Sequence, residues 1–282
     1  MIIDIHTHVF PEKIAASTVE KLEQISHTRS FSDGSAPGLM ASMARAGVDA
    51  CLVLPVATNP RQVPHVNDSS ARMNDQGPET GIYSLGCIHP DFDGWKEELS
   101  RIASLGLKGI KLHPEYQGVD FDDIRYLRIL DRCGELGLMV LSHAGLDVGF
   151  PGKDNCSPAM VLRAIRQVGP VKLVLAHMGG WRQWDQVEEL LWDTQVFIDT
   201  SYALGAITPL DDGYYRPEEL PLMEEKQFVG MVRKFGAERV VFGTDSPWDD
   251  QEQALKRLRA LPLEPWELEA ILGGNAQKLL GL

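Results

Sequence analysis

The sequence of 282 residues has no apolar run approaching the ~20 residues that a membrane-spanning helix requires. Its first residues show neither a basic stretch nor a small-residue cleavage site, so the expected location is the cytoplasm. Cysteine is sparse. Cys51, Cys87, Cys133 and Cys156 stand far apart with no Cys-x-x-Cys pair, which fits reduced thiols rather than a disulfide framework. Basic residues are short as well: 27 Lys and Arg against 40 Asp and Glu leave a net charge of −13. That balance disfavours nucleic acid and an anionic membrane surface as partners, and leaves a small-molecule substrate. No glycine-rich phosphate-binding turn follows the first strand, which speaks against a doubly wound nucleotide-binding sheet.

What is present is a repeating unit: an amphipathic stretch, a glycine, then a short strand rich in Val, Ile and Leu. Gly47 precedes Ala50–Val56, Gly81 precedes Ile82–Ile88, and Gly106 precedes Lys108–His113. Gly137, Gly169 and Gly236 stand in the same way before Leu138–His143, Val171–His177 and Arg239–Asp245. Each glycine suits the left-handed residue that closes a helix. With Ile2–His6 and Gln195–Thr200, the pattern predicts eight strands separated by helical segments. Such alternation implies parallel pairing and an α/β fold, a (β/α)8 TIM barrel forming one domain over residues 1–282. A hydrophobic fraction of 44% is enough to fill its core. The connections Ser26–Pro37, Ala57–Pro78, Ala144–Ser157 and Tyr202–Pro221 read as long. The last three follow strands and are expected to build a pocket over the barrel's C-terminal face.

The polar residues gather at that face. In the opening strand Ile3, Ile5 and Thr7 alternate with Asp4, His6 and His8, so both imidazoles project from one side with their nitrogens close together. A divalent metal is held well by such a pair. His113, His143, His177 and Asp245 each end a further predicted strand, and active sites of these barrels lie at that rim. Five of the eight histidines are thus expected to converge with Asp245 on one mouth.

These motifs resemble a known family. Asp4-Ile5-His6-Thr7-His8, the histidine after strand five, Leu175-Ala176-His177-Met178-Gly179-Gly180 and Phe242-Gly243-Thr244-Asp245-Ser246-Pro247-Trp248 look like the amidohydrolase superfamily. Gly109-Ile110-Lys111-Leu112-His113-Pro114 and Gly273-Gly274-Asn275-Ala276-Gln277-Lys278-Leu279-Leu280 resemble its amidohydrolase-related branch. That branch includes aminocarboxymuconate semialdehyde decarboxylase, resorcylate-type decarboxylases and several hydrolases. The resemblance covers the whole chain. It implies His6, His8, His143 and Asp245 as ligands of one Zn2+ per chain, with another divalent metal or a second ion as alternatives. It further implies His177 as the acid/base and oxyanion stabiliser beside the metal, and Asp245 as the acceptor of a water proton. The activity it implies first is hydrolysis of a small carbonyl substrate, an amide, ester or lactone, by a metal-activated water. The alternative is nonoxidative decarboxylation of an unsaturated or aromatic carboxylic acid at the same site.

Other candidates carry less. Lys111 lies on the strand face of His113 and reads as a buried stem paired with a carboxylate such as Asp4 or Asp245, against the carboxylated lysine of two-metal relatives. His113 is expected to line the pocket or bind a substrate oxygen. Trp181, Trp248 and Tyr202 follow strand ends and could wall it for a planar or apolar group. Arg61 and Arg182 could fork onto a substrate carboxylate. His27 and His65 read as solvated loop residues, and Asn275 as the N-cap of a final helix Asn275–Leu280. Tyr214-Tyr215-Arg216 suits a lid or the contact of a homodimer.

Overall fold

A computed structural model describes residues 1–281. Short parallel strands form its frame: β1 (Ile3–Thr7), β2 (Ala50–Val53), β3 (Ile82–Ser84), β4 (Gly86–Cys87) and β5 (Gly109–Leu112). They continue as β6 (Met139–Ser142), β7 (Leu173–Leu175), β8 (Phe197–Asp199) and β9 (Val240–Val241). Neighbours follow in chain order, β1-β2-β3 and then β4 through β9, with helices between. The Ile5 N–H donates to Phe242 O at 3.0 Å and the Asp245 N–H to His6 O at 2.8 Å, joining the first strand to the residues after the last. This is the parallel α/β barrel that the alternation predicts. Pairing stops short of His113, His143, His177 and Asp245, which the sequence places inside their strands. The reason is local at two of them: His177 (φ 59°) and Asp245 (φ 67°) are left-handed, a conformation that cannot continue a strand.

The interior is apolar. Ile3, Ile5, Leu52, Leu54, Met139, Leu141, Val174 and Val241 fill it, joined by Ala276, Leu279 and Leu280 of the final helix. Residues of the opposite strand parity, among them Val53, Ile110, Val140, Ile198 and Val240, pack outward against the helices. Asn275 is not the expected cap. It lies within the final helix, and its Nδ2 donates to Ala237 O and Val240 O, both at 2.7 Å, which ties that helix to β9.

Two departures from regularity shape the site. Between Asp4 and Thr7 the register of β1 against β2 shifts, so strict alternation fails there. Asp4 consequently leaves the face of His6 and braces the rim, accepting from the Thr244 N–H (3.0 Å), the Thr244 hydroxyl (2.6 Å) and Gln251 Nε2 (2.8 Å). The second departure divides the third predicted strand at Leu85. Asn74 takes the main-chain N–H and C=O of Ser84, and Asn67 those of Cys87, at 2.6–3.2 Å. Both asparagines belong to the helix Val63–Thr80, which occupies most of the stretch expected as a long connection. Asn59 caps the turn Pro60–Gln62 that leads into it by accepting the Arg61 N–H, and Pro64 sits in the helix's first turn.

Asn67 also donates to the buried Glu98 at 2.6 Å. Its replacement by alanine strands the Cys87 peptide groups away from water, whereas that carboxylate oxygen keeps its bond from Arg101 Nη2 at 2.7 Å. The expected cost is about 2–4 kcal/mol, read as a lower urea midpoint at unchanged slope. A midpoint equal to the parent's would show that these bonds do not hold the strand.

Candidate metal centre and active site

The site lies where β1 and the segments after β5, β6, β7 and β9 end. Leu54 O can only accept, so His8 carries its proton on Nδ1, 3.0 Å from that carbonyl, and presents a bare Nε2. His6 is fixed likewise, its Nδ1 donating to Asp199 Oδ2 at 2.8 Å and lying 2.9 Å from Ser201 Oγ. Both bare Nε2 atoms then face one oxygen, Asp245 Oδ1, at 3.2 Å from His6 and 3.0 Å from His8. His177 Nδ1 donates to Ser201 O at 3.0 Å and turns its Nε2 toward His143 Nδ1 at 3.1 Å. His143 in turn donates from Nε2 to Leu146 O at 3.2 Å, which leaves Nδ1 bare. Four nitrogen lone pairs and a carboxylate thus face inward together. Close approach permits it: a Cβ on Gly243 would meet His6 Cβ at 2.8 Å.

Such a set repels itself unless a cation lies among its members, and one donor atom each of His6, His8 and Asp245 lies within 4.8 Å of the other two. The donors are imidazole nitrogens and a carboxylate oxygen, each ring held from behind by a hydrogen bond. That is the arrangement that orients metal-binding histidines, and the residues fit a divalent ion. Charge states agree. Burial holds His8 and His143 below the ordinary imidazole range and takes His177 down to about 4, so all three are neutral near pH 7. Burial opposes charge on Asp245 too, but its neighbours, His6 foremost, hold the carboxyl well below the ordinary carboxylate range. For His6, burial and the Lys111 charge push the pKa down, but Asp199 and Asp245 together outweigh them and raise it.

A second group, His113, His143 and Asp147, adjoins the first. His113 stacks on His143 with ring centres 4.4 Å apart, its Nε2 3.4 Å from Asp147 Oδ2 and its Nδ1 3.6 Å from Glu115 Oε2. His143 has committed Nε2 to Leu146, so this group keeps one bare imidazole at most and holds a metal less well than the first. Burial raises Asp147 to about 6 and Glu115 to about 8.

Lys111 is buried, and its amine meets His6 Nε2 at 3.4 Å rather than pairing with Asp4 or Asp245 as expected. Burial takes its pKa down to about 8. A cavity of about 690 Å3 opens above these residues, lined by His113, Trp181, Tyr202 and Trp248, and also by His65. The two arginines do not reach it. Arg182 binds Pro221 O and Glu219 O and covers the Trp181 ring, while Arg61 is exposed in the turn Pro60–Gln62. Neither position can fork onto a substrate without rearrangement, because one guanidinium is already spent on carbonyls and the other faces outward.

Sequence reasoning passed over Asp199, Ser201, Glu115 and Asp147. Asp199 carries the signal used for Asp245, a carboxylate ending the apolar run Val196-Phe197-Ile198. Ser201, Glu115 and Asp147 sit beyond strand ends, where spacing says little about direction.

Comparison with known proteins follows the geometry. A 2-amino-3-carboxymuconate-6-semialdehyde decarboxylase of Dictyostelium discoideum is 26% identical over 243 residues, covering 77% of this chain and 66% of that protein. The chain therefore spans about two thirds of that relative's length. An uncharacterized TIM-barrel protein from Bordetella bronchiseptica shares the fold with a TM-score of 0.76 at 18% identity, over 99% of this chain and 98% of that one. A dihydroxybenzoic acid decarboxylase from Polaromonas sp. JS666, solved with bound manganese and 2-nitroresorcinol, gives 0.68 at 15% identity, over 100% and 97%. The model of the amidohydrolase family matches residues 3–282, and with the barrel and its metal-competent rim in place, the chain belongs to that family of metal-dependent enzymes.

Proposed function

We propose that the chain is a metal-dependent, nonoxidative decarboxylase of an unsaturated or aromatic carboxylic acid. The observation that carries this is the floor of the cavity, where the His6–His8–Asp245 donors and the buried Lys111 amine lie together beneath Trp181, Tyr202 and Trp248. His6, His8 and Asp245, with His143 Nδ1 turned to the same space, would hold one Zn2+ per chain; such donors also accept manganese. When bound, the ion supplies Lewis acidity to a substrate oxygen. Lys111 is the lysine lining the cavity and attracts the carboxylate, whose local cation matters because a net charge of −13 gives no long-range pull. The aromatic wall orients the unsaturated plane. As the C–C bond breaks, its electron pair stays on the carbon, CO2 leaves, and a proton passing through His177 Nε2 takes its place. The name of the 26%-identical relative supports this order over the hydrolysis expected first.

One observation favours hydrolysis as a second reading. Among the described residues no arginine lines the cavity, and a neutral amide, ester or lactone needs none. Incubating metal-loaded protein with unsaturated and aromatic acids, beside lactones, esters and N-acyl amino acids, separates the two. CO2 release that stops on chelation is the expected result. Hydrolysis of any neutral substrate with no CO2 from the acids would reverse the assignment.

A further inference from the structure

The cavity is larger than its reactive floor. At about 690 Å3 it falls in the range of roughly 300–1,000 Å3 that holds drug-sized ligands, whereas the chemistry needs only a carboxylate and its neighbouring unsaturation. The excess runs sideways, between the helices Ala15–Ser26 and Val63–Thr80 and down beside β2, where Val53 also lines it. Thr18, Leu22 and Ile25 face it from the first helix, and Val66, Ser70 and Met73 from the second. Both sets are spaced i, i+4, i+7, so each is one continuous face of its helix. These faces are unusual in position. Such stripes normally bury completely, yet Val66 and Met73, which touch the core, remain partly exposed, as does Leu22, and Ile25 stands exposed. Several hydroxyls nearby are already engaged, Ser69 with His65 O at 3.0 Å and Ser84 with Leu85 O at 2.8 Å and Ser70 at 3.0 Å, which leaves Thr18, Glu12 and the His65 ring as the polar groups along it. The channel therefore offers contact area and few free polar groups.

We propose that the substrate carries an extended apolar tail, alkyl or aryl-alkyl, which lies in this side channel while its head group sits at Lys111 and His6. The inference rests on the proposed function for the head group, and takes the tail from the channel alone. A sugar, a peptide or a nucleotide would bury hydroxyls or charges here without partners, at a cost that apolar contact does not return.

Straight-chain carboxylates of four to ten carbons, titrated into metal-loaded protein and followed by tryptophan fluorescence, test it without requiring turnover. Each added methylene is expected to tighten binding about fourfold until the channel is full. Leu22→Glu and Met73→Glu, both at partly exposed positions that tolerate a charge, should flatten that dependence and leave the shortest acid's affinity unchanged. Affinity independent of length, or a slope retained in both variants, would overturn the proposal. The two readings fail separately. Length-dependent binding without CO2 release from any acid keeps the channel and sinks the decarboxylase, whereas CO2 release indifferent to length does the reverse.

Discussion

Replacing His8 by alanine is expected to strip the protein of its metal, from roughly one ion per chain to under about a tenth, and to abolish turnover. The loss follows from how the donors are held. His8 has one nitrogen spent on Leu54 O and the other aimed at Asp245 Oδ1, so alanine removes a donor already held in place for the ion. Asp245→Ala should do the same, since its Oδ1 is the point on which His6 and His8 both converge. His6→Ala adds a second injury, because Asp199 would be left buried beside Ser201 without its imidazole. His143→Ala should also deplete the metal, through loss of Nδ1. His27→Ala serves as the control. That ring stacks on Tyr214 and meets Asp211 at 3.2 Å, in contacts that share no residue with the metal donors. Metal analysis by atomic emission, with thermal melts to confirm folding, decides the matter. A His8→Ala protein that keeps a full ion would sink the assigned centre, and two full-occupancy ions in the parent would sink the single-ion assignment.

Much of this centre was legible because strand ends announce themselves. An apolar run that stops at a histidine or aspartate gives both the element and the direction, as at His113, His143, His177 and Asp245. The period-two reading of β1 put His6 and His8 on one face correctly but carried Asp4 with them. A register shift is set by how β1 meets β2, and nothing within the eight residues records it. The helix Val63–Thr80 was read as a loop for a related reason. Its polar, proline-bearing sequence lacks an apolar stripe wide enough to mark a helix, and its stability comes from asparagines clamped to a strand beyond. Arg182 shows the limit for side chains: a guanidinium at the end of four bonds goes where carbonyls await it, which depends on residues such as Pro221 far along the chain, while Arg61 stays exposed. Lys111 was rightly placed inside, but its partner is an imidazole that only the folded rim brings within reach.

His177→Asn is expected to lower the rate by about 100-fold or more while leaving the metal content intact. Asparagine is the informative replacement. His177 sits at φ 59°, a left-handed conformation that asparagine tolerates far better than most side chains, so the backbone of the rim is spared. Its amide can also keep a donor near Ser201 O, where the His177 Nδ1 proton now goes at 3.0 Å. What it cannot supply is a nitrogen that gains and gives a proton. The geometry equips His177 for that: Nδ1 is tied down and Nε2 is bare at the cavity floor. Ser201→Ala provides the graded comparison. It removes the hydroxyl 2.9 Å from His6 Nδ1 and 3.0 Å from His177 Nδ1, so it loosens two rings without deleting either, and a loss of roughly 10-fold is expected. Pre-steady-state CO2 release with metal analysis on the same samples separates the roles. If metal falls in step with activity in His177→Asn, the ring is a ligand, and its Nε2 approach to His143 at 3.1 Å marks a shared coordination shell rather than a path for the proton.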